Sequence, residues 1–193
     1  MMPTRRQLSW GLLALAALPA SCASPNPVLY TLDPVTGVAR PGGPKTVLLR
    51  DIAIAPYLDR KMIVRSSSGF RIAVEQNDWW GEPFAGMLSR VLAAELEQRL
   101  PGTTVLTAAG TIDAPADAKI SINIARFDQD ADGTVILAAQ SDITFTNAHR
   151  QAAIAGERLR AVPQGTGVAA QVAAMSRALG GLADALAATL ASR

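Results

Sequence analysis

The chain has 193 residues, 49% of them hydrophobic, a formal charge of +2 and one cysteine. That length and apolar content suit a single domain with a buried core, and one cysteine excludes an intrachain disulfide. Leaving out Arg5 and Arg6, the 18 basic residues fall to 16, equal to the 16 acidic ones, so the body offers no electrostatic argument for nucleic acid or an anionic surface.

Arg5 and Arg6 precede an uncharged run from Leu8 to Leu18, and small residues lead to Cys22. Basic n-region, short apolar h-region and small residues are the order of a secretory signal. The run is too short for a helix crossing a core of ~30 Å, which needs ~20 residues. The expected division is a signal peptide over 1–21, a tether over 22–27 and one folded domain over 28–193. Ala20-Ser21-Cys22 resembles the last three positions of the bacterial lipobox, with Pro19 where leucine is usual. The resemblance implies acylation of Cys22; an ordinary leader with an incidental cysteine is the alternative. Ala23 stands where an aspartate would signal inner-membrane retention, which implies sorting to the outer membrane. Thr4-Arg5-Arg6-Gln7-Leu8 also resembles a twin-arginine export signal, so the export route stays open.

Val28 to Leu32 reads as a first strand. Asp33 to Lys45, rich in proline and glycine, reads as a loop. Thr46 to Ala55 is apolar on both faces, as expected of a central strand. Pro56 to Lys61 interrupts it, because proline removes a ladder donor. Met62–Arg65 and Arg71–Glu75 predict a hairpin around Ser66 to Gly69.

A helix is expected from Glu82-Pro83 to Leu100, stopped by Pro101-Gly102. Phe84, Met87, Leu88, Val91, Leu92, Leu96 and Leu100 share one broad arc. Glu95 projects into that arc, with Arg99 at i+4 as its expected partner. Thr103–Thr107 is a short strand. Lys119–Ile124 alternates with Ile120, Ile122 and Ile124 inward, and Phe127 breaks the phase, predicting a bulge near Ala125-Arg126. Thr134–Thr146 and Ala152–Val162 complete an antiparallel meander. The last helix carries Val168, Val172, Met175, Leu179, Leu182, Leu186 and Leu190 as one stripe, read as core with a partner or oligomer seam as the alternative. Gly180-Gly181 lies within it and should weaken it by ~1 kcal/mol per glycine.

No catalytic constellation emerges. His149, the only histidine, falls in a turn, and no His/Cys cluster supports a metal. Asp128, Asp130 and Asp132 before Gly133 begin like a calcium loop but lack its later ligands, so they are expected to be a solvated turn. Gly165-x-Gly167-x-x-Ala170 matches a dinucleotide fingerprint, yet no second parallel strand can follow it before the sequence ends. No cofactor and no enzymatic activity are expected.

Three ordered segments resemble the ABC-type transport auxiliary lipoproteins, the PqiC/YmbA-like family. They are Tyr30-Thr31-Leu32 after the tether, Pro56-Tyr57-Leu58-Asp59-Arg60 followed by Met62-Ile63-Val64-Arg65, and Trp80-Gly81-Glu82-Pro83-Phe84 opening a helix. The Pro56–Tyr57 spacing is one residue shorter than the family's, and Trp79 is extra. The resemblance implies an α/β chain of the α+β type, a mixed or largely antiparallel sheet with two main helices packed on it. It also implies a non-enzymatic outer-membrane lipoprotein facing the periplasm beside an MCE-domain protein of a lipid-transport system, with ATP hydrolysis elsewhere. Tyr30, Trp80, Glu82 and Pro83 would be structural. Pro56, Tyr57, Leu58, Asp59, Arg60 and Trp79 are candidate partner contacts, with a core corner as the rival reading for Tyr57 and Leu58. A lipoprotein regulator of a cell-wall or envelope enzyme is the alternative function, and a homo-oligomer stays open.

Overall fold

The computed structural model describes residues 26–66, 70–108, 110 and 114–192; the signal segment and Cys22 lie outside them. The sheet is organised by one long strand, β7 (Ala118–Gln129), whose alternation buries Ile120, Ile122 and Ile124. One edge of β7 pairs with β8 (Val135–Phe145), which pairs with β9 (Ala153–Ala161), both antiparallel. This is the expected meander, and the register shift between Ile124 and Arg126 is the expected bulge.

The other edge of β7 is shared among three parallel partners: β2 (Thr46–Leu49), β3 (Ala53–Ile54) and the end of β4 (Met62–Ser66). The expected single strand over Thr46 to Ala55 is therefore broken. Residues 50–52 leave regular pairing, though the N–H of Arg50 still donates to the Ile120 carbonyl and Ile52 is buried. β6 (Thr104–Thr107) adds to β2 in parallel, while β5 (Ala73–Trp80) returns antiparallel to β4. β1 (Val28–Tyr30) joins β5 in parallel. The second hairpin strand runs to Trp80 rather than stopping at Glu75, because β1 and β4 pair with its far half. The sheet is mixed.

Two helices pack on it: α1 (Phe84–Arg99) and α2 (Gly167–Ala191). α2 touches α1, β7, β8 and β9, so its buried arc is wider than one stripe and includes Ala174, Ala178 and Ala183 as well as the leucines. A fully buried leucine contributes ~1.5–3 kcal/mol. The loop from Asp33 to Lys45 lies as a strap across both helices. Its backbone is satisfied by side chains: the N–H of Asp33 donates to Ser176 Oγ, that of Val35 to Glu95 Oε1, and the Val35 carbonyl accepts from Arg99 Nη1.

The strap changes the expectation for Glu95. Its carboxylate does not bridge to Arg99. Arg99 instead donates through Nε to Asp184 Oδ1 at 2.6 Å and through Nη2 to the Gly180 carbonyl at 3.1 Å. Glu95 is fully buried with Oε2 unpartnered. Burial pushes its carboxyl up to about 7, against the Val35 N–H and the Arg99 charge, and Asp184 adds to the rise.

Candidate functional site

The loop after β3 and the junction from β5 into α1 are distant in sequence and meet in one cleft of about 520 Å³. Its walls come from Asp59, Arg60 and Lys61 on one side and from Trp79 through Phe84 on the other. The junction is held by two backbone bonds: the N–H of Trp80 donates to the Lys61 carbonyl at 2.7 Å, and that of Gly81 to the Tyr30 carbonyl at 2.9 Å. Pro83 then occupies the N-cap position of α1. Its φ of −54° is the ring's own, so the proline starts the helix without losing a hydrogen bond.

Trp80 is buried and stacks on Phe84 with ring centroids 4.8 Å apart, and Phe84 lies against Phe127. The floor of the cleft is thus continuous with the core and rigid. Trp79, its neighbour in the strand, is half-buried, with Nε1 donating to the Gln76 carbonyl. Glu82 accepts from Arg90 at 2.5 Å, which also donates to Thr31 Oγ1. Tyr30 bonds the Asp78 carboxylate, the main reason its hydroxyl pKa is raised.

Pro56–Leu58 forms a 3-10 turn. Leu58 is buried in the core, and Tyr57 Oη donates to Asp128 Oδ2 at 2.7 Å. Asp128 is itself fully buried and accepts from Arg126 Nε at 2.9 Å. Asp128 therefore departs from the solvated turn expected of the three acids: it lies within β7 beneath Tyr57. Asp130 and Asp132 do sit in the turn, where Asp132 accepts from the Thr134 N–H and Arg160. Arg60 folds back, Nε donating to the Tyr57 carbonyl at 2.6 Å, and remains partly exposed at the rim.

Of the expected contact residues, Asp59, Arg60 and Trp79 line the cleft, while Tyr57 and Leu58 support it from behind. Lys61, Gly81 and Phe84 join the lining. Gly81 and Phe84 were visible only as members of a motif and Lys61 only as part of the segment that interrupts the strand, because nothing local indicates that the two segments converge. His149 is exposed in its turn, and among the described residues no group of three or more His, Cys, Asp or Glu side chains could hold a metal. No helix among them is long and apolar enough to cross a membrane. An apolar floor with a rim of both charges can take an aromatic or aliphatic side chain from a partner.

Comparison with known proteins gives a family match over residues 30–187, to the ABC-type transport auxiliary lipoprotein component. No curated protein matches. Among solved structures, one titled as an uncharacterised protein superposes with a TM-score of 0.68 at 18% identity, covering 85% of this chain and 98% of that one. Protein XCC0632 from Xanthomonas campestris superposes with a TM-score of 0.66 at 19% identity, covering 84% of this chain and 95% of that one. At these identities the likeness is one of fold.

Proposed function

We propose that this chain, which belongs to the ABC-type transport auxiliary lipoprotein component family, is a non-enzymatic docking subunit anchored in the outer membrane and facing the periplasm. Acyl chains on Cys22 hold it to the bilayer, each buried CH₂ adding ~0.8 kcal/mol. Its cleft receives an MCE-domain protein of an intermembrane lipid-transport system. The observation that carries this reading is the meeting of Asp59-Arg60-Lys61 with Trp79 to Phe84 in one rigid cleft. Aromatic and arginine side chains on a preorganised floor are the residue types that dominate protein–protein affinity.

A photo-crosslinker placed at Trp79 in cells should recover an MCE-domain protein, and the same group at His149 should not. Equal recovery at both positions, or none at Trp79, overturns the docking half. Cys22→Ser should release the processed protein from the membrane fraction. Retention there after signal cleavage overturns the anchoring half.

A further inference from the structure

A second surface lies at the opposite end of the β4–β5 hairpin. Phe70 is fully exposed and adopts a left-handed φ of 62°, a conformation disfavoured for a bulky side chain. Ile72 is 49% exposed, and Arg71 between them is also exposed. The parallel contact of Ser66 with Gln129 puts this tip at the same end of the sheet as the β7–β8 turn. The pairing of Ala161 with Val135 brings the β9–α2 connection there too. That connection carries Val162, 69% exposed, and shares a concavity with Arg65 and Glu75 of the hairpin. Three large apolar side chains thus stand in solvent at one end of the molecule.

The direction of the N-terminal chain says what covers them. β1 lies parallel to β5, with Val28 beside Asp78 and Tyr30 beside Trp80. Traced backwards from Val28, the chain therefore heads toward the start of β5 and the hairpin tip. Cys22 precedes Val28 by the same number of residues as Ile72 precedes Asp78. An extended tether of that length spans about 20 Å, and Pro25 and Pro27 favour extended backbone. A tether of that length is long enough to reach from Val28 to the level of Ile72.

We infer that the Phe70-Arg71-Ile72 tip and Val162 rest in the interfacial layer of the bilayer that holds the acyl chains of Cys22. This rests on the acylation proposed above. The acyl chains hold the protein at the bilayer, and apolar side chains seated in the interface add buried apolar area and fix how the body stands on it. The same geometry orients the body. The docking cleft lies at the other end of β5, a strand of 8 residues and so about 25 Å long. With the tip on the lipid, the cleft faces away from the membrane.

The test uses the mature acylated protein in vesicles of phosphatidylethanolamine and phosphatidylglycerol. Acylation blocks the only native thiol, so Phe70→Cys, or His149→Cys at the opposite end, takes a single environment-sensitive NBD label. Nitroxide-bearing lipids should quench the label at position 70 several-fold more than at 149. If the protein floats with vesicles but the label at 70 is unquenched and open to aqueous iodide, the tip is in water and the inference falls while anchoring stands. A label unquenched by lipid yet shielded from iodide assigns the tip to a second copy of the chain, which also overturns it. Two labels per chain with no flotation show an unacylated Cys22, and the anchoring reading then falls together with the inference.

Discussion

Arg99, buried at the end of α1, donates through Nε to Asp184 Oδ1 in α2 at 2.6 Å, although the Asp184 side chain is 46% exposed. The same guanidinium also holds the Val35 and Gly180 carbonyls, so one side chain ties α1, α2 and the strap together. Removing one partner of a buried ionic network is costly because the remaining polar groups lose their bonds. Arg99→Met should lower unfolding free energy by about 3 kcal/mol in urea titration. Asp184→Asn, at a half-solvated position, should cost less than about 1 kcal/mol.

The strap crosses that guanidinium at Gly37, where an added Cβ would overlap the Arg99 guanidinium atoms. Gly37→Ala must therefore displace Arg99 or lift the strap. It should destabilise by about 2–3 kcal/mol, the scale of overpacking, and in the Arg99→Met background much of that cost should disappear. Equal cost in both backgrounds would show that the clash is not with Arg99.

The two glycines of α2 should respond in opposite directions. A Cβ on Gly180 meets Val35 Cβ at 3.2 Å and Glu95 Oε1 at 3.4 Å, whereas one on Gly181 meets only the end of the Leu159 side chain, at 3.3 Å. A β-carbon tied to the strap cannot yield, but a leucine methyl can rotate. Gly181→Ala should gain up to ~1 kcal/mol of helix propensity. Gly180→Ala should lose about 1–2 kcal/mol to crowding, and thermal denaturation of the pair reads the contrast.

Glu95 should make stability fall as pH rises. Its carboxyl titrates at about 7 in the folded chain and at its ordinary 4.5 when unfolded. Between those values the folded state keeps a proton that the unfolded state releases, so raising pH favours unfolding. The penalty should develop from about pH 4.5 to 7 and reach about 3 kcal/mol above that window. Glu95→Gln retains an oxygen for the Val35 N–H and cannot ionise. Its stability relative to the parent should therefore climb across the same interval in urea titrations at successive pH values, and a constant difference would refute the assignment.

Tyr57 and Trp79 should separate stability from docking. Tyr57→Phe leaves Asp128 Oδ2 without its 2.7 Å donor in a fully buried position, which should cost about 1–3 kcal/mol. Trp79→Ala removes a half-buried side chain from the cleft lining. It should leave the melting temperature nearly unchanged while strongly reducing crosslinking from a probe at Arg60.

Short-range pattern was enough for the meander, both helices and the bulge. Alternation at Ile120, Ile122 and Ile124 and the 3.6-residue recurrence of the α2 leucines are set by neighbours in the chain. The two cleft segments were also visible as motifs. Their convergence was not, because it depends on the N–H of Trp80 finding the Lys61 carbonyl across the hairpin and that of Gly81 finding Tyr30. The i+4 reading of Glu95 and Arg99 failed for the same reason: the strap supplies competing backbone partners that helical spacing cannot anticipate. Likewise Asp128 and Asp132 belong to one acidic run, yet the first lies within β7 beneath Tyr57 and is buried, while the second lies in the turn beyond the strand and stays in water.

Residue order alone therefore placed both helices and the meander and carried the family resemblance. The parallel seating of β1, the sharing of one β7 edge among β2, β3 and β4, and the strap over Arg99 were settled by long-range contacts. A periodic side-chain pattern says which face of an element seeks burial. Which partner provides it depends on the competition of every other segment for the same backbone groups and the same volume.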